Sequence, residues 1–114
     1  MSITLYHNPA CGTSRRVLEM LRQAGHAPRI VEYLKNPPDR PTLERLFAAL
    51  GPAMLRRKGT PYDALGLDDA ALPPAALLDA VQAHPILIER PIVETPLGIR
   101  LGRPPEAVQE ILPA

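Results

Sequence analysis

The stretch His7-Asn8-Pro9-Ala10-Cys11-Gly12-Thr13-Ser14-Arg15 holds the only cysteine in 114 residues. Before it runs a short apolar alternation, Ile3 and Leu5, closed by Tyr6, and after it an amphipathic helical pattern begins near Thr13. A strand, a tight loop bearing Pro and Gly, and a helix N-terminus make an anion site in that order. The N–H groups of a first helical turn have no partner inside the helix, and the helix dipole is positive at that end. A thiol placed there is biased toward thiolate, and the same field holds an oxyanion. The loop is therefore the expected active site, with Cys11 as its nucleophile.

Working outward, residues 2–6 read as a strand and 13–24 as a helix with Val17, Leu18, Leu21 and Ala24 on one face, and Gly25 falls at the position just past its end. Residues 29–34, with β-prone Ile30, Val31 and Tyr33, form the second strand. The result is a βαβ unit, whose strands run parallel. Asn36-Pro37-Pro38-Asp39 breaks the chain, and Leu43, Leu46, Phe47 and Leu50 give the period of a helix from about Pro41 to Leu50. A short helix is expected over 54–58, turns over 62–72 with Asp68-Asp69 as a capping pair, and a helix from Pro73-Pro74 to Ala83. Residues 86–88 and 92–95 read as apolar strands, Pro96-Leu97-Gly98 as a hairpin turn into 99–101, and Pro104-Pro105-Glu106 as the start of a last short helix. The order βαβ, helical segment, ββα, with a cysteine at the first strand–helix turn, fits an α/β thioredoxin-like fold. In it a small mixed sheet is flanked by helices, and residues 36–84 form a helical insertion within a single domain, 1–114.

Composition limits the function classes. Hydrophobic residues make up 46 % and charged residues 22 %, with a formal net charge of +1. Such a balance gives no support for nucleic acid or an anionic membrane as partner. Aromatic residues reach only 4 %, too few for a base-stacking platform. No run approaches the ~18 apolar residues of a membrane span, and no secretory signal pattern is visible. The expectation is a cytoplasmic monomer. One cysteine excludes an internal disulfide and a cysteine-based zinc site. No metal is expected, because no cluster of His, Asp and Glu has ligand spacing. His26, beside a helix-ending glycine, and His84, at a helix C-terminus, read as structural.

YHNPACGTSR at 6–15, HPILIERPIV at 84–93 and TPLGIRLGRP at 95–104 resemble the glutaredoxin-dependent arsenate reductases of the ArsC family. The Asn-Pro-Pro before the second helix and LRRKGTPYDALGL at 55–67 are similar to that family's middle segment. Through this resemblance Cys11 matches the catalytic cysteine, and His7 matches a histidine that helps keep it ionised. Arg56, Arg90 and Arg103 match three oxyanion-binding arginines. Arg57 adjoins Arg56, so a slip of one residue exchanges them. Ser14 is either a donor to the sulfur or oxyanion or a helix-start hydrogen bonder. Physical chemistry makes these roles sensible. A free thiol of pKa near 8.5 is about 3 % ionised at pH 7, and cysteines in such loops fall to ~3.5–7.5. A histidine cation or hydrogen-bond donor near the sulfur lowers the thiol pKa, and planar guanidinium forks suit tetrahedral oxyanions. In thioredoxin-like folds the loop facing the cysteine carries a cis-proline, so Arg90-Pro91 is expected to be cis.

The family resemblance implies reduction of arsenate to arsenite through an arseno-cysteine intermediate, with no bound cofactor and with glutathione as co-substrate. Independently of resemblance, a chain with one cysteine has no resolving thiol, so reducing equivalents come from outside. By resemblance they come from glutathione and then glutaredoxin. Two departures from the family pattern stand out: Glu94 replaces a hydrophobic residue after Arg90-Pro91-Ile92-Val93, and many family members continue with a charged tail past the position of Ala114. Two alternatives remain open. One is a glutathione-dependent thiol oxidoreductase with another substrate. The other is a regulator like the Spx proteins, which bind RNA polymerase, although the segment Cys11-Gly12-Thr13-Ser14 lacks the second cysteine that many of those carry.

Overall fold

Strand β1 (Thr4–His7) is an inner strand of the sheet, and Leu5 within it is wholly buried. The computed structural model describes residues 2–113. Contacts group the chain into two units, Met1–Asn36 with Arg90–Ala114, and Pro37–Glu89.

In the first unit β1 pairs in parallel with β2 (Arg29–Glu32), with His7 opposite Glu32. On its other side it pairs antiparallel with β3 (Ile92–Thr95), with Tyr6 opposite Ile92, and β3 pairs antiparallel with β4 (Gly98–Leu101). The strand order is β2-β1-β3-β4. Parallel neighbours need a crossover, here helix α1 (Gly12–Gln23). Gly25 ends that helix in the left-handed region at φ 87°. Its N–H donates to the Arg22 carbonyl and that of His26 to the Leu21 carbonyl, the pair of bonds that closes a Schellman cap. Val17 and Leu21 of α1 are fully buried, and with Ile3, Leu5 and Val93 of the sheet and Val108 and Ile111 they form the unit's core. Leu18 packs at its margin and Ala24 is exposed, so the buried stripe is narrower than the expected one.

The last segment, Pro105–Ile111, is a 3-10 helix. It is tied to the hairpin by Thr95, whose Oγ1 donates to the Ile111 carbonyl at 2.6 Å and accepts from the Leu97 N–H at 3.0 Å. Arg90-Pro91 is cis, as expected, and Arg103-Pro104 is cis as well. Among the described residues no helix is long and apolar enough to cross a membrane.

In the second unit helix α2 (Arg40–Leu50) is capped by Asp39, whose carboxylate accepts from the Thr42 N–H. Arg40 reaches Asp79 at 2.6 Å and Gln82 at 3.1 Å on helix α3 (Pro74–Ala83). Three local expectations are corrected here. Residues 54–58 form no helix: a 3-10 helix ends at Met54, and Leu55 makes a single antiparallel bridge with Ile88. The backbone bonds Arg56 N–H to Leu87 O and Glu89 N–H to Met54 O flank that bridge. Residues 86–88 form no regular strand either, because Pro85 starts a 3-10 helix, Pro85–Leu87, and only Ile88 reaches the bridge. Asp69 caps no helix; it accepts from the Ala71 N–H within a turn, and α3 begins at Pro74.

Gly102 donates its N–H to the Pro91 carbonyl at 2.8 Å. A Cβ there would lie 2.8 Å from Pro91 Cγ and 2.9 Å from Val17 Cγ2, against a ring and a branched side chain that have little freedom to yield. Gly102→Ala is expected to destabilise the protein by about 1–3 kcal/mol through overpacking. The check is a lower denaturant midpoint with unchanged slope.

Candidate active site

The loop between β1 and α1 is shaped by its own polar groups. Asn8, buried, accepts from the Ala10 N–H through Oδ1 at 3.0 Å and from the Cys11 N–H through its carbonyl at 3.0 Å. Arg15 donates to the Pro9 carbonyl at 2.9 Å. These bonds close the turn and set Cys11 at the N-cap of α1, with extended backbone, φ −93° and ψ 123°. Its sulfur thus sits at the positive end of the helix, and its thiol is partly exposed.

Burial pushes the Cys11 thiol up, yet the net effect is downward. The Ser14 backbone N–H, the Arg90 guanidinium, the Thr13 backbone N–H and the Arg103 charge all favour the anion and together outweigh desolvation. Arg103 Nη2 lies 3.5 Å from Cys11 Sγ, and Arg103 Nε donates to the Arg90 carbonyl at 2.8 Å. The second bond fixes the guanidinium of one arginine against the backbone of the other, with Arg90 held just before its cis-proline.

His7 and Ser14 form a pair beneath this surface. His7 Nδ1 and Ser14 Oγ are 2.6 Å apart, both residues are buried, and Ser14 Oγ also accepts from the Asn8 N–H at 3.1 Å. Ser14 reaches the sulfur through its backbone N–H, while its hydroxyl is engaged by His7 and Asn8. Burial lowers the His7 pKa; Glu32 opposes this, and Arg15 and Arg22 add to it. Burial thus favours the neutral form of the imidazole. His7, expected as a cation or hydrogen-bond donor near the sulfur, has its Nδ1 against the Ser14 hydroxyl.

Cys11, His7, Ser14, Arg90 and Arg103 all belong to the first unit. Arg56 belongs to the second, where its Nη1 lies 2.9 Å from Glu89 Oε1 and its Nε donates to the Lys58 carbonyl at 3.0 Å. Arg57 is differently placed: it is exposed, paired with Asp63 at 2.6 Å and Asp68 at 3.6 Å, and stacked on Tyr62. Glu94, the departure noted in the sequence, accepts from the Tyr6 hydroxyl at 3.0 Å. Asn8 and Tyr33 complete the surroundings and were not singled out from the sequence. Asn8 offered a signal as a turn-forming residue within the loop; Tyr33, read only as a strand residue, offered none.

The ArsC family model matches residues 6–111. The chain belongs to the ArsC family. An arsenate reductase of Rhizobium meliloti (strain 1021) is 56 % identical over 99 % of this chain and 83 % of its own length. One from Escherichia coli (strain K12) is 53 % identical over 98 % of this chain and 82 % of its own. The solved structure of an arsenate reductase from Vibrio cholerae superimposes with a TM-score of 0.92 at 46 % identity, covering 98 % of both chains. The thioredoxin-like α/β fold expected from the order of elements is the fold of this ArsC chain.

Two outcomes follow from the electrostatics. Cys11 should be alkylated by iodoacetamide with a pH midpoint below that of a free thiol, and Arg103→Gln should raise the midpoint, read from alkylation rates across pH. His7 is a base whose folded pKa lies below its unfolded value of about 6.5. Its contribution to stability is thus present above that value and is lost as pH falls through the folded pKa. Denaturation midpoints should drop between pH 7.5 and 5, and His7→Gln should shrink that drop.

Proposed function

We propose that this chain is an arsenate reductase in which Cys11 is the nucleophile. The observation that carries the proposal is the Arg103 guanidinium 3.5 Å from a sulfur at a helix N-terminus whose thiol is held below its ordinary pKa. The identity of more than 50 % to arsenate reductases over nearly the whole chain supports the choice of substrate. The Cys11 thiolate attacks arsenic; the S–As bond forms, the bond from arsenic to a hydroxyl oxygen breaks, and the departing hydroxide takes a proton from solvent and leaves as water. Arg90 and Arg103 bind the remaining oxygens and balance the charge that develops on them, and Arg56 is assigned as a third oxyanion ligand. His7 and Ser14 keep the loop in register beneath the sulfur.

The two electrons that convert As(V) to As(III) come from thiols brought to the site. With one cysteine in the chain, glutathione and then glutaredoxin supply them, and the enzyme holds no cofactor of its own. The chain acts as a cytoplasmic monomer, one thioredoxin-like domain in which residues 36–84 or so are the insertion.

The experiment is arsenate-dependent consumption of NADPH with glutathione, glutaredoxin and glutathione reductase. Wild type should turn over, and Cys11→Ser should reduce the rate to background. Arg90→Gln and Arg103→Gln should each lower kcat/KM by at least tenfold, as expected for loss of a charge-assisted contact worth about 1.5–3 kcal/mol. Absence of turnover with Cys11 still alkylated near neutral pH would reject arsenate as substrate and leave another glutathione-linked reaction of the same thiol.

A further inference from the structure

Tyr33 follows β2 directly, one residue beyond Glu32, and Asn8 follows β1 directly, one residue beyond His7, where the parallel register of Glu32 with His7 ends. β1 and β2 both end at this edge of the sheet and β3 begins there, so Tyr33, Asn8, Cys11 and Arg90 are brought to one place by topology. The Tyr33 ring is completely buried, and among the described residues its hydroxyl makes no well-formed hydrogen bond, although Asn8 and Arg90 lie within its hydrogen-bonding surroundings. Asn8, Arg90 and Cys11 all lie near enough to influence it electrostatically. A phenol hydroxyl buried in this way destabilises a fold relative to phenylalanine, which fills the same space without a polar atom to satisfy. It is explained if the hydroxyl acquires partners when the site is charged.

The groups around it are complementary. A phenol offers one donor and a lone pair, a guanidinium only donors, and an amide oxygen accepts more than one bond. Asn8 Oδ1 already holds the Ala10 N–H of the cysteine loop and has a lone pair to spare. We propose that Tyr33 is a positioning residue: its hydroxyl accepts from the Arg90 guanidinium and donates to Asn8 Oδ1, directing Arg90 onto the Cys11 sulfur and the oxyanion bound there. The hydroxyl then joins the loop that carries the nucleophile to the loop that carries its arginine. Tyr33 touches neither sulfur nor substrate; it acts through Arg90.

This inference rests on the assignment of Cys11 as the reactive thiol and of Arg90 as its cationic partner. Tyr33→Phe tests it while preserving the packing. The pH midpoint of Cys11 alkylation should rise by about 0.3–1 unit, and the KM for arsenate should rise about two- to tenfold with a smaller change in kcat, the size of one hydrogen bond. The shift should vanish in an Arg90→Gln background, because the hydroxyl then has no guanidinium to direct. Thermal stability should stay level or increase, whereas a purely structural hydroxyl would lower it on removal and leave the thiol unchanged. An unaltered midpoint in Tyr33→Phe, or an equal shift with and without Arg90, overturns the proposal. Alkylation is read without arsenate, so a protein that fails to reduce arsenate still gives a decisive result here.

Discussion

The pairing of β1 with a parallel neighbour on one side and an antiparallel one on the other is the constraint on which the site depends. Parallel pairing makes β1 and β2 end at the same edge; antiparallel pairing makes β3 start there. Leu101, opposite Ile92, brings the end of β4 to that edge too. Four separate parts of the chain thereby deliver the Cys11 loop, Tyr33, Arg90-Pro91 and Arg103 to one place. None of these is held by a long-range covalent link, since the chain has a single cysteine. Hydrogen bonding across the sheet, and the core of Leu5, Val17, Leu21 and Val93 behind it, provide the rigidity that a disulfide provides elsewhere.

The anion-favouring field at Cys11 is built mostly from backbone dipoles and arginine, and this has a physical logic. Desolvation is the largest single influence on the thiol, and it acts against ionisation. Fixed N–H groups at a helix start and guanidinium groups remain charged or polar at every working pH. A histidine cation would supply the same sign of field only when protonated, and burial opposes that protonation at His7. The neutral ring instead secures Ser14 at 2.6 Å, so the helix start keeps the orientation in which the Ser14 N–H faces the sulfur.

The strand–loop–helix beginning was legible because Ile3 and Leu5 alternate, Val17 and Leu21 recur at helical spacing, and Gly25 marks an end that only a positive φ completes. The hairpin at Pro96-Leu97-Gly98 was legible for similar local reasons. Residues 86–88 were misread as a strand because three apolar residues fit one, yet Pro85 favours a tight turn and the only bridge comes from Leu55, more than thirty positions away. Residues 54–58 failed for the same reason, their conformation being set by that distant pairing. At the site, motif register singles out Cys11, Arg90 and Arg103, three residues that the structure brings together. The direction in which His7 titrates has no local sign, because it depends on burial and on Glu32, Arg15 and Arg22, which come together only after folding. Tyr33 carried no local sign at all, being a β-prone residue at the end of an edge strand.

The close approach at Gly102 carries a consequence for how this sequence is free to vary. Its backbone lies against the ring of Pro91 and the side chain of Val17, so helix α1, the cis-proline loop and the turn leading to Arg103 meet at a point with no spare volume. Positions 17, 91 and 102 are far apart in the chain and share one steric allowance. A bulkier residue at 17 leaves nothing for a side chain at 102, and a methyl group at 102 needs room from both the residue at 17 and the ring at 91. Substitutions at these positions are therefore correlated through space, and drift at one confines the choices at the other two.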